Sequence, residues 1–423
     1  MTWILDHSIE TGNAKLLGAI GIPIEKMNRK DDFVPSFDDV RLLDLDVSTQ
    51  SNGESVFLKM EELAKRFGDP TQILIDGGSD LVKGVKLFSE NRPNVVHTYD
   101  IPHKLATLLK NELQHDDAWK EFVEAIAMTG KMVCQTNLLF AAPPSLRTKA
   151  RYMNAELLIT WANKISHYIK QGDFSLTSDS YELDQWILDR FNGRLTMHEM
   201  HAATALFGKT FIGKDSFASA LRHVIGEKAY KTYGCEITGL SCTGRYNFEM
   251  KFDWVNEFES ELQVYTQLMK IVEIAKYEVR QNGLNQKTVE NFEDLIGPNN
   301  RLTQQASAFK IKVAEALHEE SSKVFKGRSL LGSSEIIESI FGKYKTFSSK
   351  RPVKTVGEMI LSIPLLLSRI TIDVVKQALE TKSYNCVEDW SENTFGKSML
   401  SKRITAFGDT TQFRDEIYSL VTS

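Results

Sequence analysis

Cysteine is scarce in this chain: four residues in 423, at positions 134, 235, 242 and 386, none in C-x-x-C spacing. Only Cys235 and Cys242 are near each other, with no histidine beside them, so neither a structural zinc site nor a disulfide framework is expected. Long hydrophobic runs are missing too. The longest, Val356 to Val375, is broken by Glu358, Pro364, Arg369 and Asp373, which suits a buried helix and argues against a membrane span. The opening residues are apolar but lack a basic lead and carry Asp6, so no signal peptide is expected. Reduced thiols and no membrane partner imply a cytoplasmic protein. No P-loop, no G-x-G-x-x-G after a strand and no G-x-S-x-G elbow occurs, which argues against NTPase, dinucleotide-binding and α/β-hydrolase chemistry. His198 and His201 stand three apart, whereas a zincin helix needs its histidines four apart.

An excess of positive charge is absent as well. The net charge is −5, with 51 basic and 56 acidic residues, so the chain as a whole lacks the basic footprint of a nucleic-acid protein. The distribution is uneven, however. From 321 to 355 there are eight basic residues (Lys323, Lys326, Arg328, Lys343, Lys345, Lys350, Arg351, Lys354) against two acids, Glu335 and Glu338. A basic segment around two acids suits a phosphate backbone that approaches a metal site.

What is present is, first, a run of alternating strand and helix patterns. Residues 3–9, 15–22, 40–47, 71–75 and 95–99 read as five strands, with helices over 53–67, 80–88 and 102–113. Three sequential strands followed by helix-strand-helix-strand-helix make a mixed five-stranded α/β layer. After residue 115 strand patterns become rare. Amphipathic stretches at 155–169, 180–191, 216–230, 253–281 and 304–323 predict a mostly helical unit. The expected organisation is therefore 1–114 as the first part of an α/β core, 115–327 as a helical insertion, 328–381 as the second part of the core, and 382–423 as a polar tail.

Within this frame three acids stand out. Asp6 lies inside the apolar strand Trp3-Ile-Leu-Asp6, where a charge is costly to bury unless paired or metal-bound. Asp76 ends the strand Gln72-Ile-Leu-Ile75 and precedes Gly77-Gly78, at the carboxyl end of a strand where ligands gather in α/β sheets. A turn role for Asp76 and an N-cap role for Asp80 are the structural alternatives. Ser333-Ser-Glu335-Ile-Ile-Glu338 opens a helix with two acids on one face. Carboxylates suit two hard divalent ions, Mg²⁺ or Mn²⁺. A pair of such ions roughly 3.5–4 Å apart is the standard device for cutting and rejoining phosphodiesters. Tyr99-Asp100-Ile-Pro-His103-Lys104 adds a D-x-x-H at the end of the fifth strand.

The order of LDHSIETG, IDGGSD, YDIPHK and SSEIIESIFGKYK resembles the catalytic domain of DDE transposases of bacterial insertion sequences. The resemblance covers nearly the whole chain. It implies an RNase H-like fold interrupted by a large, mostly α-helical insertion domain, with metal-dependent DNA cleavage and strand transfer. By position, Asp6, Asp76 and Glu338 match the metal-binding catalytic acids, with Glu335 as the alternative third acid. Two Mg²⁺ or Mn²⁺ ions are implied. Lys343, Lys345 and His103 would face DNA, and Asp100 and Glu335 would support the acids. The partners implied are double-stranded DNA, as transposon ends and target, and further copies of the chain on DNA in a nucleoid-associated assembly. The chain opens almost on its first acidic strand, so the family's N-terminal helix-turn-helix segment is expected to be absent. A stand-alone RNase H-like nuclease and an inactive DNA-binding or self-association remnant of a transposase are the alternatives.

Overall fold

The computed structural model describes residues 1–9, 15–48, 51–134, 136, 138–147, 150–171, 190–207, 214–298, 301–348, 358–367, 371–397 and 399–408. The turn at 10–13, most of the expected helix at 180–191, and Lys350, Arg351 and Lys354 lie outside the described residues. The chain divides into two units: one of 1–105, 273–299 and 313–423, the other of 106–272 and 300–312. The second unit is shorter than the expected insertion, because segments 273–299 and 313–327 belong with the first.

The first unit is mixed α/β. Its sheet contains β1 (Thr2–Ile9), β2 (Lys15–Ile22), β3 (Arg41–Ser48), β4 (Gln72–Ile75) and β5 (Val96–Tyr99), in the order β3-β2-β1-β4-β5. The first three are antiparallel neighbours; β4 and β5 run parallel to β1. A short helical turn, α1 (Ile24–Met27), follows β2. β1 is central, and β4 beside it is nearly all apolar and fully buried, as a strand covered on both faces should be.

Period-two alternation decides the faces. Trp3, Leu5, Ile73 and Ile75 point to one side, into a core with Val56, Met60 and Leu63 of α2 (Gly53–Phe67) and Leu81, Val85 and Phe88 of α3 (Ser79–Ser89). Those two helices approach closely because Gly84 lets Val56 in; a Cβ there would stand 2.6 Å from Val56 Cγ1. Asn52 caps α2, its side chain accepting the amides of Glu54 and Ser55. Asp80 is not a cap: Gly78 holds that position and Asp80 lies inside the first turn of α3.

The other sheet face carries Ile4, Asp6, Leu74 and Thr98. Helix α4 (Ile101–Gln114) follows β5 directly.

The second unit is helical throughout its described residues. It contains α5 (Asp117–Val133), α6 (Ala155–Gln171), α7 (Met197–Phe207) and α8 (Lys214–Phe252). Asp116 caps α5 through the amides of Ala118 and Trp119, and its other oxygen accepts the Tyr265 hydroxyl at 3.1 Å. Around that cap Trp119 meets Tyr265 edge-on at 5.0 Å, and Phe122 packs on Trp254, Phe258 and Tyr265. The run expected as one helix over 216–230 is two helices that meet at Gly226, whose φ of 79° and ψ of 157° are non-helical, and the second continues to Phe252. The run expected as one helix over 253–281 is a 3₁₀ segment, Asp253–Phe258, followed by α9 (Glu259–Asn282).

The chain continues through α10 (Thr288–Ile296), α11 (Gln304–Ser321), α12 (Glu335–Ser348) and α13 (Ser362–Leu366). α14 (Ile372–Thr381) precedes the expected polar tail, 382–423, whose described part holds two helices, α15 (Tyr384–Phe395) and α16 (Met399–Phe407). Ser383 caps α15 through the Cys386 amide. No helix among the described residues is long and apolar enough to cross a membrane.

Candidate metal centre

The pairing register sets the site. Leu5 of β1 lies opposite Ile75 of β4, and Ile75 opposite Tyr99 of β5; the next residues are Asp6, Asp76 and Asp100. Asp6, inside β1, thus lies level with Asp76 and Asp100, which follow the last residues of β4 and β5, with neighbouring strands about 4.8 Å apart. Asp6 is the middle of the sheet's acidic row in energetic terms. Burial, then repulsion from Asp76, pushes its carboxyl up from 3.8 to about 6, while His103 and Lys345 pull the other way. A group that feels Asp76, His103 and Lys345 at once lies where β1, β4, α4 and α12 converge.

Helix α12 reaches this point because the segment before it is tied down residue by residue. Leu330 forms a two-way backbone bridge with Leu284, at 2.7 and 2.9 Å. Leu331 donates its amide to Gln72 Oε1 (3.1 Å), and its carbonyl accepts from Gln72 Nε2 (2.6 Å). Gln72 is buried in β4, where it also accepts the Thr2 hydroxyl and donates to Thr98. Gly332 accepts the Ile101 amide at 2.9 Å. Ser334 donates its amide to Asp100 Oδ1 (3.3 Å) and its hydroxyl to Asp100 Oδ2 (2.9 Å). One turn later Ile337 and Phe341 close over Gly18, the residue paired with Asp6. A Cβ at Gly18 would stand 2.6 Å from Phe341 Cζ, so the glycine sets how near α12 comes to β1.

Glu338 is therefore brought to the end of the sheet. Its Oε1 is 3.7 Å from His103 Nδ1, and that nitrogen is 2.7 Å from Asp100 Oδ2. The ring proton belongs on Nδ1, donated to Asp100. Asp100, His103 and Glu338 offer ligand atoms within 4.8 Å of one another and could hold a metal ion. Asp100 is wholly buried and both its oxygens already accept hydrogen bonds from Ser334 or His103. That makes it a brace for His103 and for the start of α12, while Asp6 and Asp76 lie level with it on the neighbouring strands. The donor set fits a hard divalent cation. A cation beside Asp6 would offset the Asp76 repulsion that helps keep its carboxyl protonated.

The remaining residues singled out in the sequence divide clearly. Glu335 is engaged by Arg280, whose guanidinium reaches both carboxylate oxygens at 2.6–3.0 Å. Lys345 acts on Asp6 electrostatically. The Lys343 ammonium sits 3.7 Å from the centre of the Phe37 ring. Lys323, in the basic segment, is paired with buried Glu320 at 2.7 Å. On the opposite face of β1, His7 meets Asp80 (3.1 Å) and Ser51 (3.2 Å), and burial holds its pKa down.

Sequence reasoning missed Gln72, Ser334, Arg280, Tyr99 and Glu320. Gln72 had a signal, a polar residue opening an otherwise apolar central strand; Glu320 and Tyr99 are 221 residues apart and carried none.

Compared with known proteins, the chain matches no family model and no curated sequence. Its class is defined by the fold and the site: a mixed α/β unit with an acidic centre at the end of three parallel strands, accompanied by a helical unit.

Proposed function

We propose that the α/β unit is an RNase H-like catalytic domain that cuts DNA phosphodiesters with divalent metals, as in the DDE transposases its motifs resemble, and that the helical unit is an insertion in that fold. The observation that supports this reading is Asp6 beside Asp76, in register on adjacent strands, with Glu338 on a helix tied to the same sheet and 3.7 Å from His103. Asp6, Asp76 and Glu338 would hold Mg²⁺ or Mn²⁺. When bound, the metals supply charge stabilisation to the attacking and leaving oxygens of an in-line displacement.

The chain's own residues have distinct tasks around them. Asp100 fixes the His103 tautomer and orients its ring, which would face the DNA backbone. Lys345 adds a positive charge on the same stripe of α12 as Glu338, seven residues and two turns away, where it neutralises a DNA phosphate. Lys343, stacked on Phe37, sets the edge of that basic surface. Arg280 frees Glu338 from competition by engaging Glu335. Positioning and charge carry the chemistry, so no protein nucleophile is needed. The partners are duplex DNA and, for strand transfer between two ends, further copies of the chain in a nucleoid-associated assembly.

The test is plasmid nicking with Mg²⁺ or Mn²⁺ by wild type and by Asp76→Asn. Metal-dependent nicking that Asp76→Asn abolishes while the fold is kept supports the reading. Equal nicking by both proteins, or none by wild type with either metal, refutes it. Joining of a cut 3′ end to a second duplex separates a transposase from a nuclease.

A further inference from the structure

Asp76 is followed by Gly77 and Gly78, and neither adopts the left-handed φ that would demand a glycine. Gly78 donates its amide to Asp76 Oδ1 at 3.0 Å. What residue 77 lacks is room. A Cβ there would fall onto the Tyr99 hydroxyl oxygen, with ring atoms Cζ and Cε2 at 3.0 and 3.1 Å.

Tyr99 is itself held at its other end. It is the last residue of β5, opposite Ile75, so it borders the strand position just before Asp76. Its amide donates to Glu320 Oε2 at 2.8 Å. Glu320 is 1% exposed and also accepts from Lys104 (3.0 Å) and Lys323 (2.7 Å). The two lysines and the Tyr99 amide hold its carboxyl below the usual range despite burial. The Lys104 ammonium lies 5.7 Å from the centre of the Tyr99 ring. A buried ionic cluster thus anchors the main chain of Tyr99, and its hydroxyl reaches across β4 to the Asp76 loop.

We infer that Tyr99 is a positioning residue for the metal centre: its hydroxyl fills the space of a side chain at residue 77, holding Asp76 in line with Asp6. This rests on the reading of Asp76 as a metal ligand. Tyr99 touches neither metal nor substrate in this role; it acts through Asp76.

The test uses the full-length chain with Mn²⁺ as probe, in wild type, Gly77→Ala, Tyr99→Phe and Gly77→Ala/Tyr99→Phe. Binding is read by calorimetry, and melting temperature is read without metal. A supporting residue of this kind typically changes metal affinity by about 10–100-fold. Gly77→Ala is expected to weaken Mn²⁺ binding by about tenfold or more. Tyr99→Phe alone should weaken it less, and the double variant should regain most of the loss, because removing the oxygen makes room for the methyl. Equal Mn²⁺ affinity in wild type and Gly77→Ala, or a double variant no better than Gly77→Ala, overturns the inference. If Gly77→Ala does not fold, Tyr99→Phe decides: an unchanged Mn²⁺ affinity overturns it, and a weakened one with an unchanged melting temperature supports it. A wild type that binds Mn²⁺ but nicks no DNA refutes the proposed function and leaves this inference standing. A wild type that binds no Mn²⁺ overturns both.

Discussion

Asp6 carries the largest electrostatic cost in the site. Its carboxyl is pushed from 3.8 to about 6 by burial and by Asp76, a rise that corresponds to roughly 3 kcal/mol at most. The native state keeps the proton that the unfolded chain gives up near pH 4. Stability from this group is therefore full below about pH 4 and is lost as pH rises through 6. Asp6→Asn removes the cost, so the metal-free variant should melt above wild type at pH 8 and by a smaller margin at pH 5. Saturating Mg²⁺ should raise the wild-type melting temperature and leave the variant's nearly unchanged. A wild type that is the more stable at pH 8 without metal would contradict this account of the carboxyl. The two glutamates of α12 make a second residue-scale contrast. Glu338→Gln should abolish metal-dependent nicking, while Glu335→Gln should retain most of it, since Glu335 is bound by Arg280. Loss in the second variant alone would exchange their roles.

At the scale of elements, α12 is set by one glycine and one stitched segment. Gly18→Ala places a methyl against Phe341, and overpacking of this kind costs about 1–3 kcal/mol. The helix that bears Glu338 would have to lift from β1, so nicking should fall further than the loss of stability alone explains. Nicking that simply follows the folded fraction would separate α12 from the site. The same helix presents Lys345. Neutralising it should weaken binding evenly across DNA sequences and flatten the salt dependence, by a slope of about 0.9 per lost phosphate contact. Lys343→Ala should do less, because its ammonium already rests on Phe37. An unchanged slope for Lys345→Ala would leave that lysine out of the DNA surface.

The elements themselves were largely legible. Strands β1 to β5 and helices α2 to α4 could be read because apolar alternation and turn residues punctuate the first hundred residues. The aspartate row was half legible: Asp6 and Asp76 stood out as acids in or after apolar runs, and Asp100 follows β5 in the same way. Its role as a brace depends on Ser334, 234 residues later, which no local pattern announces. The helices after residue 115 were harder. Gly226 divides the expected 216–230 run into two helices, and α14 to α16 have no buried residues among those described, so the periodic signal that comes from packing is weak there.

For the whole molecule, the charge pattern and the two units bear on the same claim. The acidic balance outside the 321–355 segment leaves the candidate DNA surface concentrated on α12 and its neighbours in the α/β unit. The helical unit has its own aromatic core around Trp119, Phe122 and Tyr265, and its own capped helix α5. Every residue of the candidate centre lies in the other unit. The most direct test of the central claim is anomalous diffraction from crystals of the full chain grown with Mn²⁺. The account predicts anomalous peaks bonded to carboxylate oxygens of Asp6, Asp76 and Glu338, with the Asp100 carboxylate still bound to Ser334 and His103. Ordered density for all four acids with no peak between Asp6 and Asp76, or with the ion on Asp100 alone, would contradict it.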